Sequence, residues 1–535
     1  MMMSSLASNF KLSPRVSCLP PSPFRGNKRV IRGTGRLSTG FFPRLHHLLE
    51  RIVRYGVKPR KYGLLSKEEA EEDAKLIESA AFVAASQYFD KDPDNDGGSA
   101  VQLYAKESSK LMVEVIKKGS RGKDDREILP ELVAFTSDHE TVFDISGGRR
   151  AYIEAEEARE LLKPLKESGT KYTKICFSNR SFGLPAGHVA ASILSSIKDQ
   201  LTDVDLSDIV SRRPEPEAVE VMKMFSSALE GSNLNTLNLS NNSLGERGIR
   251  AFGDLLKSQK NLVGLYLMNA GISEHAAKAL RELISSTNKL KILHFHNNVT
   301  KDDGAVAISQ IVKESPNLED FRCSSTRIGS VGGVALAQSL QNSTLLKKLD
   351  LHDNMFGPDG GVALGRTLSV PVNLTEVYLS HLRLQHEGVT AIVNGLKDST
   401  SALEVLDLAG NSLTSESARD LAACIVSKKN SLTKLNLSEN ELKDAGATVI
   451  GEALGGDFSR LSIVDLSSNG IRQGGATALA KAVVAKPGFR LLNINGNFLS
   501  NKGIEDVKEI FKNSPRMLGS LDDNDPNGED GGGDA

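Results

Sequence analysis

The chain has 535 residues and a formal net charge of −1 at pH 7, so no overall electrostatic attraction to nucleic acid or to membranes is expected. Its four cysteines lack the CxxC spacing of redox and zinc motifs, which favours a reducing compartment over secretion. The sequence contains no run of about 18 apolar residues and therefore predicts no transmembrane segment.

The N-terminal residues 1–60 are predicted as a basic disordered tail or a targeting segment. Glu50 is the first acidic residue, and the stretch before it is rich in Ser, Pro and Arg. That composition is typical of an organelle transit peptide. It suits a disordered tail or an altered translation start as well. We favour the latter two because the sequence that follows looks neither plastid-like nor mitochondrial.

Residues 61–119 predict a small α-helical domain. Capping boxes at Ser66 and Ser99 each precede an apolar-periodic run, which indicates two helices. Residues 120–171 are predicted as a linker and an N-terminal cap, with a short extended piece and then a helix from about Glu154.

A hydrophobic phrase, Leu-x-x-Leu-x-Leu-x-x-Asn, recurs through residues 172–514 with a period of 28 or 29 residues. Such a period predicts an α/β leucine-rich-repeat solenoid of about twelve strand–helix repeats. The alternating leucines form short parallel strands on the concave side, and each strand is followed by a turn and a convex helix. Residues 515–535 are acidic and Gly-rich and are predicted as a disordered tail. The phrase starts at Tyr172, Leu201, Leu234, Leu262, Leu290, Leu318, Leu346, Leu374, Leu403, Leu432, Leu461 and Phe489.

The chain shows no sequence motif for catalysis of its own. It has no phosphate-binding Gly-Lys-Ser/Thr loop, no Gly-x-Ser-x-Gly elbow and no HExxH zinc motif, so no cofactor of its own is predicted. Residues 92–97 match the opening of a calcium-binding EF-hand loop, but its twelfth position is Leu103, so a polar turn is the better interpretation. His294 and His296 share one strand face, where ordinary polar residues are a better explanation than a metal pair.

The final asparagine of the phrase forms a column, in which the side-chain amide is expected to turn inward and satisfy backbone groups of adjacent loops. The position immediately before the column is expected to lie on an exposed rim, where strand meets turn. Polar residues there predict a protein-binding edge. The column contains Asn242, Asn298, Asn354, Asn411, Asn440, Asn469 and Asn497 and is interrupted at Ala270, Thr326 and Leu382; the rim position holds Asn241, Asn269, Asn297, Asp353 and His381.

One interval is longer than the others, because Leu201 and Leu234 are 33 residues apart. The extra residues fall at 208–216 and are expected to form a loop on the same rim. Arg212 and Arg213 are predicted there as exposed cations, in a loop that is either solvated or contacts a partner.

The repeats resemble those of the Ran GTPase-activating protein family. The phrases that carry the resemblance are residues 239–245, 265–271 and 351–357, together with an early loop at 212–215 that is similar to the family's Arg-containing loop. The segment from Arg60 to Lys118 looks like the family's plant-specific WPP domain. The chain departs from this pattern because it has no tryptophan for the Trp-Pro-Pro motif, and its acidic tail is shorter.

The resemblance implies a GTPase activator rather than an enzyme. The partner is the small GTPase Ran, which carries the GTP, the Mg²⁺ and the Gln that orients the attacking water. The family is thought to act without an arginine finger, by positioning that Gln. The site residues that follow are Asn242 and Asn269, with Arg213 and Asp353 as supporting contacts. Asn242 also belongs to the column, so either role is open for it.

The family resemblance further implies a role in nucleocytoplasmic transport and in cell division. It places such a protein in the cytoplasm, at the nuclear envelope and, in dividing cells, at the cell plate. Ran-binding proteins and envelope-anchoring coiled-coil proteins are its implied further partners. The alternative is a leucine-rich-repeat binding module, an inhibitor or a sensor, that leaves hydrolysis unchanged. Import into an organelle through residues 1–49 is a third hypothesis.

Overall fold

A computed structural model describes residues 141–147, 150–167, 171–369 and 373–525, and every structural statement below concerns these residues. They belong to a compact unit of residues 139–535, which is distinct from a unit of residues 1–138. The predicted tail, the two predicted helices of residues 61–119 and the EF-hand-like turn lie outside the described residues.

The strands form one parallel sheet of thirteen members, and the residues of one leucine phrase pair with the equivalent residues of the next. Leu237, for example, pairs with Leu265, and Leu265 pairs with Leu293. The sheet order is β1-β3 followed by β5 to β15 in sequence, while β2 and β4 form a separate parallel pair. The strands are β1 Thr141–Asp144, β2 Ala151–Ile153, β3 Tyr172–Cys176, β4 Arg180–Phe182, β5 Asp203–Asp205, β6 Thr236–Asn238, β7 Gly264–Tyr266, β8 Ile292–His294, β9 Asp320–Arg322, β10 Lys348–Asp350, β11 Glu376–Tyr378, β12 Val405–Asp407, β13 Lys434–Asn436, β14 Ile463–Asp465 and β15 Leu491–Asn493.

A helix follows nearly every strand and forms the second layer, as the repeat length predicts. Glycines allow the closest approach, because a Cβ on Gly361 would lie 2.5 Å from the Cα of Gly388 in the next helix. No described helix is long and apolar enough to cross a membrane. The helices are α1 Ala155–Leu161, α2 Leu184–Ile197, α3 Glu215–Leu229, α4 Gly245–Ala251, α5 Gly253–Ser258, α6 Glu274–Leu283, α7 Lys301–Lys313, α8 Ser330–Ser339, α9 Gly357–Leu368, α10 Gln385–Asp398, α11 Ala418–Ser427, α12 Lys443–Leu454, α13 Gln473–Val483 and α14 Asn501–Ile510.

The core lies between the strand layer and the helix layer. The phrase leucines are almost completely buried, as Leu237, Leu349 and Leu435 illustrate with at most 1% exposure. Burying one leucine side chain contributes about 1.5–3 kcal/mol, and the repeat multiplies that contribution along the array. The fold class predicted from the period, a leucine-rich-repeat solenoid of strand–helix units, is confirmed.

The C-terminal end differs from the prediction of a disordered tail for residues 515–535. Residues 515–525 form a cap: Leu518 bridges to Leu492 of the last strand, and Leu521 is buried. Asn524 accepts the N–H of Asn497 at 2.9 Å and so continues the asparagine column beyond the last repeat. The last repeat would otherwise expose leucines and unpaired backbone groups, which explains why acidic composition did not keep this segment out of the fold.

Candidate functional site

The position before the asparagine column adopts a left-handed backbone in successive repeats. Asn, Asp and Ser tolerate this conformation because their short polar side chains bond locally. The N–H of Asn269, for example, donates to the carbonyl of His296 in the next repeat at 2.8 Å. We call six of these residues the rim row, and all but the half-buried Asn241 and Ser325 are exposed. The rim row, with its φ angles, is Asn241 (61°), Asn269 (50°), Asn297 (55°), Ser325 (53°), Asp353 (55°) and His381 (53°).

Three asparagines of the rim row are joined side chain to side chain. The Nδ2 of Asn269 donates to Oδ1 of Asn241 at 3.0 Å, and the Nδ2 of Asn297 donates to Oδ1 of Asn269 at 3.1 Å. An amide has two N–H donors and two carbonyl lone pairs. Asn269 therefore keeps one donor and one lone pair for a ligand, while its neighbours fix the orientation of its amide.

Asn242, the second predicted site asparagine, has its amide committed to the fold. The side chain is buried; its Oδ1 accepts the N–H of Ile209 at 2.9 Å. Its Nδ2 donates to the carbonyls of Leu206 and Leu239 at 2.7 and 3.1 Å. Of the two roles left open by the sequence, these contacts favour the structural one.

Arg213 is not the exposed cation that the sequence suggested, and its side chain is only 12% exposed. Its guanidinium pairs with Glu154 at 3.1 Å and donates to the carbonyl of Ser181 at 2.8 Å. It also lies over the ring of Tyr152, 5.3 Å from the centroid. The reason is that the extra residues between β5 and α3 pack inward and carry Arg213 against the N-terminal cap, whereas Arg212 remains exposed.

The loop of the long repeat is packed rather than solvated. Ile209 and Val210 are buried, and Asp208 forms an ion pair with Arg150 at 2.6 Å. Arg213 and Asn242 line a smaller depression of about 500 Å³ beside this loop, together with Asn241.

A larger open depression of about 750 Å³, the main rim depression, brings Asn269 and Asp353 together. Asn297 and His381 line it as well. Asp353 is exposed, and its carboxylate makes no hydrogen bond or ion pair within the described part of the chain. Of the four predicted site residues, Asn269 and Asp353 are thus the two that combine exposure with polar capacity left for a ligand.

Comparisons with known proteins agree with this architecture. The WPP domain model matches residues 44–126, and leucine-rich-repeat models match residues 233–255, 342–365, 428–451 and 461–480. RAN GTPase-activating protein 1 of Arabidopsis thaliana is 66% identical over 487 residues, covering 90% of this chain and 89% of the relative. RAN GTPase-activating protein 2 of the same plant is 60% identical over 488 residues, with the same coverage.

The chain belongs to the Ran GTPase-activating protein family. Within its WPP region it is also similar to MFP1 attachment factor 1 of Solanum lycopersicum, with 39% identity over 76 residues, which cover 14% of this chain and 49% of that protein. The WPP region lies outside the described residues, whereas the rim belongs to the repeats that give this Ran GTPase-activating protein its solenoid.

Beneath the rim of this Ran GTPase-activating protein lies a charged cluster that sequence reasoning missed. Asp350 pairs with Nδ1 of His352 at 2.5 Å and with Nε of Arg322 at 2.9 Å. The ring of His296 lies 5.8 Å from that of His352. Arg322 and Asp350 are paired positions of adjacent strands, and His296 and His352 are equivalent positions two repeats apart. The 28-residue spacing was therefore a signal that could have revealed them.

Protonation of the two histidines is biased in opposite directions. Burial, together with the charges of Arg322 and His352, lowers the pKa of His296. Burial also opposes protonation of His352, but the hydrogen bond and charge of Asp350 outweigh it and raise the pKa of His352.

His294 and His296 each have a protein partner in the structure. The Nε2 of His294 lies 3.0 Å from Oδ1 of Asp320, while Nδ1 of His296 lies 3.0 Å from the hydroxyl of Ser324. Across the described residues, no group of three or more His, Cys, Asp or Glu side chains could hold a metal ion.

Proposed function

We propose that this protein stimulates GTP hydrolysis by the small GTPase Ran, and that Asn269 is the rim residue that acts at the nucleotide. The proposal rests on two Arabidopsis relatives that carry this activity in their names, each at least 60% identical over about nine tenths of both chains. It rests equally on the side-chain amide of Asn269, which is exposed, is held in orientation by Asn241 and Asn297, and keeps one donor and one lone pair for a ligand.

The proposed role of the activator is to position the catalytic groups that Ran supplies. Ran supplies the nucleotide, the Mg²⁺ and the glutamine that orients the attacking water; in the Ras case, a GTPase-activating protein raises the rate roughly 10⁵-fold. An amide that can donate one bond and accept another suits this task, because it can hold a glutamine side chain or a phosphate oxygen without carrying charge. Asn269 has that remaining capacity after its bonds to Asn241 and Asn297.

Asp353 is assigned a supporting contact on Ran, since its unpaired carboxylate lines the same depression as Asn269. Arg213 and Asn242 are assigned structural roles near the site. Arg213 binds the long-repeat loop to the N-terminal cap, and Asn242 fixes the turn that carries Asn241. Because the guanidinium of Arg213 is engaged by Glu154 and Ser181, we do not assign it a finger role.

The protein is proposed to work without a nucleotide site or a cofactor of its own, with GTP and Mg²⁺ carried by Ran. The match to the WPP model, and the likeness to an attachment factor, support association with the nuclear envelope. Residence in the cytoplasm, and at the cell plate in dividing cells, is proposed from the family resemblance alone. Anchoring coiled-coil proteins and Ran-binding proteins are its proposed further partners, in support of nucleocytoplasmic transport and mitosis.

The test is single-turnover GTP hydrolysis by Ran, with the full chain as activator. Asn269→Ala should abolish most of the stimulation and leave the unfolding temperature close to that of a matched control. The control is Glu439→Ala, since Glu439 is exposed and occupies the same left-handed position in a distant repeat, so both variants carry the same backbone strain. Full stimulation by Asn269→Ala would remove this residue from the mechanism.

The alternative function, a leucine-rich-repeat module that binds without activating, gives a different result in the same assay. Such a module would bind Ran, or another protein, while hydrolysis proceeds at its intrinsic rate even with the wild-type chain.

A further inference from the structure

The main rim depression carries a second feature, which the catalytic proposal does not use. Arg327 and Arg383 both line it, two repeats apart, and Met355 of the intervening repeat lies in the same lining. Both arginines are exposed, and the side chain of Met355 is 40% exposed. The result is a stripe of cation, apolar side chain and cation beside the rim row.

The two guanidinium groups are uncommitted. Neither makes a hydrogen bond or an ion pair with any residue that the structure describes, whereas arginines of other repeats, such as Arg247 and Arg281, pair with carboxylates. An arginine is suited to a carboxylate because its planar donors bind both carboxylate oxygens at once.

The backbone at these two positions gives an independent indication. Arg327 and Arg383 have φ angles of 58° and 59°, and Gly271 and Gly470 occupy the equivalent position of other repeats at 66° and 67°. A residue with a Cβ costs about 1–2 kcal/mol in this conformation, a cost that glycine avoids. A large, unpaired side chain at such a position does not serve the fold, so a role in binding explains it better.

We propose that Arg327 and Arg383, with Met355 between them, dock an acidic surface segment of the GTPase whose carboxylates flank an apolar side chain. The inference rests on the proposed function and adds the chemistry of the partner surface. Asp353, the acidic residue of the lining, belongs to the same repeat as Met355. Arg383 lies one repeat farther from Asn269 than Asp353 does, so the cationic stripe extends the contact away from the site of hydrolysis.

The geometry allows one partner to reach both features. Neighbouring strands lie about 4.8 Å apart, so four repeats separate Asn269 from Arg383 by roughly 20 Å. A typical interface buries about 800 Å² on each partner and is therefore roughly 30 Å across. A single GTPase can contact Asn269 and the arginine stripe at the same time.

The experiment compares the double variant Arg327→Glu/Arg383→Glu with the matched control Arg366→Glu/Arg419→Glu. The control arginines are exposed on helices α9 and α11 and carry the same change in net charge. For each full-length protein, KM and kcat of stimulated hydrolysis are measured at two salt concentrations, together with the Kd for Ran loaded with a non-hydrolysable GTP analogue. Unfolding temperatures establish that every variant is folded.

The double variant should raise KM and Kd by about tenfold to hundredfold, with a weaker salt dependence, because charge on an interface acts mainly on association. Its kcat at saturating Ran should stay within about threefold. The Kd of Arg327→Lys/Arg383→Lys should lie between those of the wild type and the glutamate variant, because lysine keeps the charge but loses the paired planar donors. Equal Kd values for the Arg327→Glu/Arg383→Glu variant and its control would overturn the inference. If the wild-type chain binds Ran without stimulating hydrolysis, the proposed function fails but the Kd comparison still decides the docking surface; if it does not bind Ran, both fail.

Discussion

The side-chain amide of Asn269 donates to Asn241 and accepts from Asn297, so the rim amides form a row with a direction. An aspartate at 241 keeps the acceptor that Asn269 needs. An aspartate at 297 loses the donor and places a carboxylate against the oxygen of Asn269. Asn297→Asp should lower stimulated hydrolysis about tenfold, or about 1.4 kcal/mol, and Asn241→Asp by no more than about threefold.

Single-turnover hydrolysis by Ran measures this asymmetry, and each variant is the other's control, because both add one negative charge to the rim. Equal losses would show that charge, rather than amide orientation, governs the effect.

Removal of the Asn242 side chain should act on stability. Asn242→Ala leaves the N–H of Ile209 and the carbonyls of Leu206 and Leu239 without their partner. At about 1 kcal/mol for each lost bond, we expect a loss of about 3 kcal/mol in the free energy of unfolding. Denaturant unfolding followed by circular dichroism measures it. A stability within experimental error of wild type would contradict the column role of Asn242.

Arg213 should behave as a structural residue that lysine cannot replace. Its donors reach Glu154, Ser181 and Ile153 from one planar group, a geometry that an ammonium does not reproduce. Arg213→Lys and Arg213→Ala should both destabilise the protein by about 2 kcal/mol. Hydrogen exchange should become faster in residues 150–185 and remain unchanged near the C-terminal cap. An equal increase in the rate of hydrogen exchange along all the repeats would show that Arg213 does not stabilise the N-terminal region locally.

The two histidines beneath the rim predict opposite pH effects. The pKa of His296 is lowered in the folded state, chiefly by burial, so the unfolded chain takes up its proton first and stability is lost as pH falls below about 6.5. The pKa of His352 is raised in the folded state, so its contribution is fully present below about 6.5 and is lost as pH rises through the folded pKa.

Unfolding temperatures at pH 5.5 and pH 8 test this difference. On acidification, His296→Gln should lose less stability than wild type, and His352→Gln should lose more. The neighbouring Arg322, Asp350 and Asp353 are retained in both variants, so they provide the same background. Shifts of the same sign in both variants would refute the assignment.

The sequence predicted the repeat architecture because each leucine phrase specifies the same local structure, and neighbouring copies pair in register. Leu237 and Leu265 could be placed on adjacent strands by their spacing alone. The exposure of Asn269 and Asp353 followed in the same way, since both lie one residue before the column. The side-chain hydrogen bond between Asn241 and Asn269 could also have been predicted, because equivalent positions in successive repeats are neighbours.

Contacts that cross the repeat pattern could not be predicted. Arg213 meets Glu154 and Ser181 only because the longer repeat folds inward, and neither the direction of that fold nor its partners appear in the spacing. The C-terminal cap was missed for another reason. Leu521 and Asn524 keep the three-residue spacing of Leu239 and Asn242, but the acidic composition around them outweighed this short signal.

The left-handed rim position has a consequence for how such proteins diverge. Asn, Ser, Asp, His, Glu and Gly all occur there along this one chain, and their backbone geometry is nearly constant. Packing of the core therefore does not depend on which side chain occupies that position. Partner preference can therefore change by single substitutions that leave strand register intact, and the rim offers positions onto which recognition residues can be grafted without redesigning the repeats.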